Sequence, residues 1–263
     1  MSVRKLMGLT MTLFAVYEYG QETHIMERSL IEVSYHVIEN YIDKFGLGYD
    51  DYALRIGKTK SQYFSLHQMR EDSIGSDKRT AMILINEMLD AARNRNDKSK
   101  QRPKSPGHGD YLYRDLSNDT IKIYSSIMSS SYRITDCPTF NWKIYDDSTK
   151  FLLHYKCHLA TTNFRGRLWK VWYAEDIPIP LGPWKFFGLP GLILEAECSG
   201  YITIQAVEIK TKNLSPITFY NFWDKKFEYI DRIKFQKAKN DPRSYPKGTF
   251  FYPPMEWNGM EWN

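Results

Sequence analysis

The sequence predicts a mainly β fold of the α+β class: a curved, largely antiparallel sheet or half-open barrel with helices packed on it. Aromatic residues make up 15% of the 263 residues, and these side chains favour strands. Short apolar stretches follow one another closely after residue 110, which leaves no room for the long crossovers of a parallel sheet. Two further segments have the spacing of amphipathic helices.

Apolar residues at helical spacing, including Leu84 and Ile85, predict a helix near residues 76–95. Ser76 is the expected N-cap, because its hydroxyl can accept a hydrogen bond from the first turn. Residues 216–239 combine spaced aromatic residues with many charges, and this predicts an amphipathic C-terminal helix. The prolines that follow predict an irregular tail.

The other apolar segments predict strands. Residues 25–42 form a first strand, and residues 52–69 form a hairpin that turns at Gly57 and Lys58. The remaining predicted strands are 111–115, 119–125, 130–135, 141–145, 151–161, 165–174, 191–198 and 201–209.

The first 20 residues have the pattern of an export signal. Two basic residues precede an apolar run, Leu6 to Val16, that is too short to span a bilayer. A buried strand or a short core helix is the alternative. If the segment is a signal, cleavage is expected near Gly20, and a single domain over 21–263 is expected in the periplasm or outside the cell.

The charge pattern argues against a nucleic-acid partner. The formal net charge of +5 is small, and the basic residues are spread over the chain. Residues 93–104 contain six basic residues and one acid. This segment is either a patch for lipid headgroups or polyanions or, as the simpler interpretation, a solvated loop.

No metal site or other cofactor is predicted. Cys137, Cys157 and Cys198 are widely spaced without a Cys-x-x-Cys pair, which excludes a zinc ribbon. One disulfide with one free thiol, or three buried thiols, both fit this count. His154 and His158 lie on a predicted strand, where four residues separate side chains by about 13 Å, too far for one shared metal.

Residues 154–197 carry a dense run of short motifs. In order these are YKCHLAT, FRGR, a strand with Trp-Tyr, IPIPLGPWKF and GLPGLI, the last at Gly188–Ile193. Together they resemble the GLPGLI family, exported proteins known mainly from the Bacteroidetes, and weaker similarity extends over about 50–258. The resemblance implies an exported protein of unknown function, and it transfers neither a catalytic residue nor a disulfide.

The segment GPWKFFGLPGLI predicts a shaped loop, because Gly-Pro and Pro-Gly dipeptides favour turns and proline cannot donate to a sheet. Its apolar side chains either close over a ligand cavity, dock on a membrane or partner, or plug the end of the sheet core. These candidate binding residues are Trp184, Phe186, Phe187 and Leu189.

No catalytic residue is assigned, because neither a G-x-S-x-G motif nor a local Cys–His signature is present. Glu195 and Glu197 share a strand face at a separation that would suit a hydrolase. Ion pairs between these carboxylates and Arg165 or Arg167 are the simpler interpretation.

These observations favour an exported, non-enzymatic protein that binds an apolar ligand, a peptide or an envelope component. The binding partner is then an unknown apolar ligand or envelope protein, with peripheral contact to a membrane as one form. An envelope hydrolase and a structural partner of an outer-membrane complex are the alternatives.

Overall fold

A computed structural model of the protein describes residues 22–39, 48–94 and 109–246. The predicted export signal, the basic segment after residue 94 and the tail beyond residue 246 lie outside the described residues. In the part of the chain that is described, none of the helices has the length and apolar content needed to cross a membrane.

Strands dominate the described residues. They are β1 (His24–Glu27), β2 (Ile31–Glu39), β3 (Gly48–Ile56), β4 (Lys60–Ser65), β5 (Tyr111–Asp115), β6 (Thr120–Ile127), β7 (Ser130–Asp136), β8 (Lys143–Leu152), β9 (Tyr155–Phe164), β10 (Arg167–Ala174), β11 (Leu192–Cys198), β12 (Ile202–Lys210), β13 (Ile217–Phe219) and β14 (Glu228–Tyr229). The helices are α1 (Leu66–Ser76), α2 (Ala81–Arg93) and α3 (Arg232–Lys239), and a short 3-10 helix follows at Pro242–Ser244.

Twelve strands form one open sheet in the order β14-β7-β6-β5-β4-β3-β2-β12-β11-β10-β9-β8. All neighbours are antiparallel except β14 and β7, which are parallel. The order divides into two meanders, β2 to β7 and β8 to β12, in which consecutive strands pair. Pairing of β2 with β12 joins them, with Val37 opposite Ile204.

The sheet is strongly curved, as the sequence predicts. Strands β7 and β10 are eight positions apart in it, and a flat sheet would hold them about 40 Å apart. Yet Arg165, in the turn before β10, lies 2.6 Å from Asp136 at the end of β7. The two ends of the sheet therefore approach each other, and the main core fills the concave face between them.

The convex face carries a second, smaller core of aromatic residues. Phe219 on β13 packs against Tyr113 and Tyr124 of the sheet. Arg55 of β3 donates hydrogen bonds to the hydroxyl of Tyr220 and the carbonyl of Pro216, which holds this segment on the sheet.

Several predicted boundaries differ from the structure. The expected helix over 76–95 begins only at Ala81, because Ser76 is the last residue of α1, a helix that the sequence analysis missed. The expected helix over 216–239 is reduced to α3, which Asp231 caps by accepting hydrogen bonds from its first turn. Three aromatic residues of that segment, Phe219, Tyr220 and Phe227, pack on the convex face instead of lining one helix face.

Candidate functional site

The loop between β10 and β11, residues 175–191, lies across the concave face of the sheet. Its backbone turns back on itself, with the amide of Gly188 donating to the carbonyl of Pro180 at 3.0 Å. Trp142 donates from Nε1 to the carbonyl of Phe187 at 2.9 Å, so the connection between β7 and β8 also holds the loop. The loop thus contacts the segment that connects the two meanders.

The four candidate binding residues belong to the packed side chains on the concave face of the sheet. Trp184, Phe186 and Leu189 are buried, while Phe187 is half-buried. The Phe186 ring lies 4.8 Å from Trp169 and 5.2 Å from Trp184, between ring centroids. These contacts supply packing in the core, and a role of the four residues in binding stays a prediction.

The backbone conformation of the loop restricts the residue type at one position and is strained at another. A Cβ at Gly191 would lie 2.1 Å from the carbonyl oxygen of Ala174, so only glycine fits where the loop rejoins the sheet. Trp184 has φ +55°, a left-handed conformation that costs a non-glycine residue about 1–2 kcal/mol. The packing of its indole ring against Trp169 and Phe186 offsets that cost.

A buried ionic cluster fixes the loop to the opposite end of the sheet. Asp136 accepts a hydrogen bond from Lys185 Nζ at 2.8 Å and from both terminal nitrogens of Arg165, at 2.6 and 2.9 Å. Burial opposes ionisation of Asp136, but the hydrogen bonds from Arg165 and the charge of Lys185 outweigh it. The pKa of the Asp136 carboxyl group therefore lies well below its usual range.

Arg114 of β5 completes the anchoring. It donates to the carbonyl of Lys185 at 2.6 Å, and its guanidinium lies 4.2 Å from the centre of the Phe187 ring. Burial lowers the pKa of Arg114 to about 10, although Asp119 nearby favours its charged form. The charged residues of this region link the two ends of the open sheet through the loop.

The structure gives two of the residues considered for catalysis or ion pairing other partners than expected. Glu195 forms an ion pair with Lys150 at 2.6 Å, and Arg165 pairs with Asp136 instead of a glutamate. The three cysteines are free thiols, Cys157 and Cys198 buried and Cys137 exposed. Within the described ranges, no group of His, Cys, Asp and Glu residues is arranged to hold a metal ion.

A shallow aromatic cleft opens on the convex side, between the start of β5 and the segment 220–227. The space inside it is about 20 Å³, so a ligand would lie across its rim. Its rim and walls combine aromatic rings with polar groups. The residues used below are Asp72, Ser126, Phe222, Trp223 and Lys225.

Trp223 is oriented by a hydrogen bond at this cleft although 48% of it is exposed. Its indole Nε1 donates to Asp72 at 3.0 Å, and Tyr111 donates to the other oxygen of Asp72 at 2.7 Å. A Cβ at Gly75 of α1 would lie 3.0 Å from the indole ring, so this glycine allows the ring to rest close to the helix. These contacts within the protein orient the exposed ring for a ligand.

Comparison with known families gives one match. Residues 136–237 match the model of the N-glycanase peptide, N-terminal domain. The match covers less than half of the chain and runs from Asp136 of the ionic cluster into α3. It includes the whole second meander, the β10–β11 loop and Trp223. No curated protein matches the sequence.

Solved structures of PNGF-II have a similar fold. In the C2 crystal form the TM-score is 0.50 at 13% identity, over 82% of this chain and 32% of that chain. In the P21 form the TM-score is 0.51 at 13% identity, over 82% and 33%. The chain thus spans about a third of the length of these structures. A LolA superfamily protein from Nitrosomonas europaea reaches only TM-score 0.27 at 8% identity, over 72% and 88%.

The resemblance to the GLPGLI family was wrong, since the matching family is the N-glycanase N-terminal domain and the similar structures are those of PNGF-II. The six-residue motif lies inside the matched segment. Its glycines are explained by the positive φ of Gly188 and the close approach of Gly191 to Ala174. Such local requirements can recur in chains of different families.

The cleft at Trp223 was missed because its parts are distant in sequence. Asp72 and Gly75 belong to an unpredicted helix, and Trp223 was assigned to a helix that does not form there. Nothing in a single sequence indicates that Gly75 and Trp223 lie next to each other.

Proposed function

We propose that this chain is an exported, non-catalytic binding domain that holds a saccharide at the Trp223 cleft. The fixed and exposed indole ring of Trp223 carries the proposal. The family match supports it, because that family is the N-terminal domain of an N-glycanase. The export signal expected in residues 1–20 would place the domain in the periplasm or outside the cell.

A saccharide suits the chemistry of this cleft. A sugar ring has an apolar face of C–H groups, which can stack on an aromatic ring, and hydroxyls around its edge. Trp223 and the half-buried Phe222 provide the aromatic surface. Lys225 donates to Ser126 at 3.3 Å, and an ammonium group has two further protons to donate.

The rigidity of the ring favours binding by a shallow surface. Asp72 orients the indole through its N–H, and Gly75 permits it to lie against α1. Binding then costs little side-chain ordering, which matters where few contacts are available. Ligands of aromatic platforms of this kind are expected to bind weakly and to be selected by shape.

The test is to titrate the full chain with chitobiose, the disaccharide of two N-acetylglucosamine units. Binding is measured by calorimetry and by NMR of the indole N–H signals. We expect saturable binding that Trp223→Ala weakens at least about tenfold, which equals about 1.4 kcal/mol. The matched control is Phe151→Ala, because Phe151 is 74% exposed on edge strand β8, which is no part of the cleft. It should leave the affinity unchanged.

A second variant separates loss of the ring from loss of the fold. Gly75→Ala keeps Trp223 but pushes its indole away from α1, so it should weaken binding while Tm changes little. Equal affinity of wild type and Trp223→Ala, or no chitobiose binding by wild type, would refute the proposal. Binding of a separate apolar ligand at Trp184 and Phe186 stays a prediction. It would be wrong if the variant Trp184→Ala with Phe186→Ala bound such a ligand as wild type does.

A further inference from the structure

Helix α2 leaves most of its large apolar side chains exposed. Five of them are between 45% and 60% exposed: Met82, Ile83, Ile85, Met88 and Leu89. No residue of the helix is buried. Contiguous exposed apolar surface on a folded domain marks sites of interaction, whereas single scattered apolar residues are common.

One side of α2 is occupied and another is free for a partner. Ala81, Leu84, Glu87 and Ala91 are half-buried, and Glu87 pairs with Arg70 of α1 at 2.7 Å. Helical spacing places Met82, Ile85 and Leu89 together on a neighbouring side, and Met88 lies at the edge of that side next to Leu84. This exposed apolar face consists of Met82, Ile85, Met88 and Leu89.

The net positive charge of the chain is concentrated in the sequence that directly follows α2. Residues 93–104, which begin at the last residue of α2, contain six basic residues and one acid. Removing them from the 36 basic and 31 acidic residues of the chain leaves 30 of each. Although basic residues occur throughout, the excess of +5 therefore lies entirely in the twelve residues that start where α2 ends.

We infer that the exposed apolar face of α2 docks on an anionic lipid surface. A helix that lies in the interface buries an apolar face among the acyl chains, while adjacent basic residues attract anionic headgroups. The 13 residues of α2 extend about 20 Å, enough to lie along a bilayer surface. A second copy of the chain fits less well, because docking two such faces would bring two equal positive charges together.

The experiment is flotation of the full chain with vesicles of phosphatidylcholine alone and of phosphatidylcholine with an equal amount of phosphatidylglycerol. We expect binding to the anionic vesicles that falls as salt is raised, because charge contributes to it. The variant Met88→Gln with Leu89→Gln should lower the bound fraction at least fivefold. Its Tm should match wild type, since neither side chain is buried.

The matched control is Ile83→Gln, because Ile83 is 47% exposed on the same helix but on the opposite side from Met88 and Leu89. It should bind anionic vesicles as wild type does. Absence of wild-type binding, equal binding to both vesicle types, or equal loss in the control and the double variant would each overturn the inference. Concentration-dependent dimerisation that the double variant abolishes would assign the face to a second copy. The inference does not depend on saccharide binding. The double variant Met88→Gln with Leu89→Gln should leave saccharide binding intact.

Discussion

The β10–β11 loop and helix α2 are both rich in large apolar side chains, but the fold uses them in opposite ways. The loop lies beneath two meanders and is anchored by buried charges, so Phe186 and Leu189 are almost fully buried. Helix α2 packs only partly on α1, and Leu89 and Met88 remain exposed. The comparison shows that a second covering layer, and not composition, separates buried core from exposed apolar surface.

The largest expected effect is the loss of the charge that anchors the loop. Asp136→Ala leaves Lys185 buried without its carboxylate, and removal of one partner of a buried pair costs about 3–5 kcal/mol. Urea unfolding should show this loss. The control Glu208→Ala removes an exposed pair with Lys210 and should change stability by less than about 0.5 kcal/mol. A similar small change in both variants would mean that the loop does not depend on its ionic anchor.

The same substitution in the two regions tests the comparison directly. Leu189 is 1% exposed, so Leu189→Ala should cost about 2–5 kcal/mol through lost burial and a cavity. Leu89 is 48% exposed on α2, and Leu89→Ala should change the free energy of unfolding by less than about 0.5 kcal/mol. A large effect of Leu89→Ala would show that α2 is covered in the folded protein in solution.

The smallest expected effect concerns acid stability. The folded state holds the pKa of Asp136 below the unfolded value of about 3.9, so its contribution is present above pH 4 and is lost as pH falls. Wild type loses this contribution when the Asp136 carboxylate takes up a proton, and Asp136→Asn has no carboxylate to protonate. As the pH falls, the free energy of unfolding of wild type should therefore drop by up to about 1.4 kcal/mol per pH unit more than that of Asp136→Asn. Urea unfolding between pH 2 and pH 6 measures the slope, and equal slopes in wild type and Asp136→Asn would contradict the prediction.

Most of the sheet was predictable because it depends on local patterns. The hairpin turn near Gly57 and Lys58 agrees with the bounds of β3 and β4. Helix α2 was predicted by apolar spacing, although its start was placed too early. Helix α1 was missed because Leu66–Ser76 lacks an apolar face, and it begins where Ser65 accepts a hydrogen bond from the amide of Gln68.

The functional surfaces were harder to predict because they depend on burial and on distant contacts. Sequence alone selected Trp184 and Phe186 for their aromatic character, and the structure buries both. Trp223 became a candidate only when Asp72 and Gly75 were found beside it. A sequence shows which side chains are available for a site, and only tertiary structure shows which of them stay uncovered.

The division of the sheet into two meanders has a consequence for the order of folding. Within each meander, a strand pairs with the strand next to it in sequence, so those contacts close short loops at little entropic cost. Pairing of β2 with β12 joins segments that lie far apart in the chain. Since long-range contacts slow folding, we expect both meanders to form early and this seam to close last. Ribosomal synthesis would then deliver the first meander well before the partner strand for β2 exists.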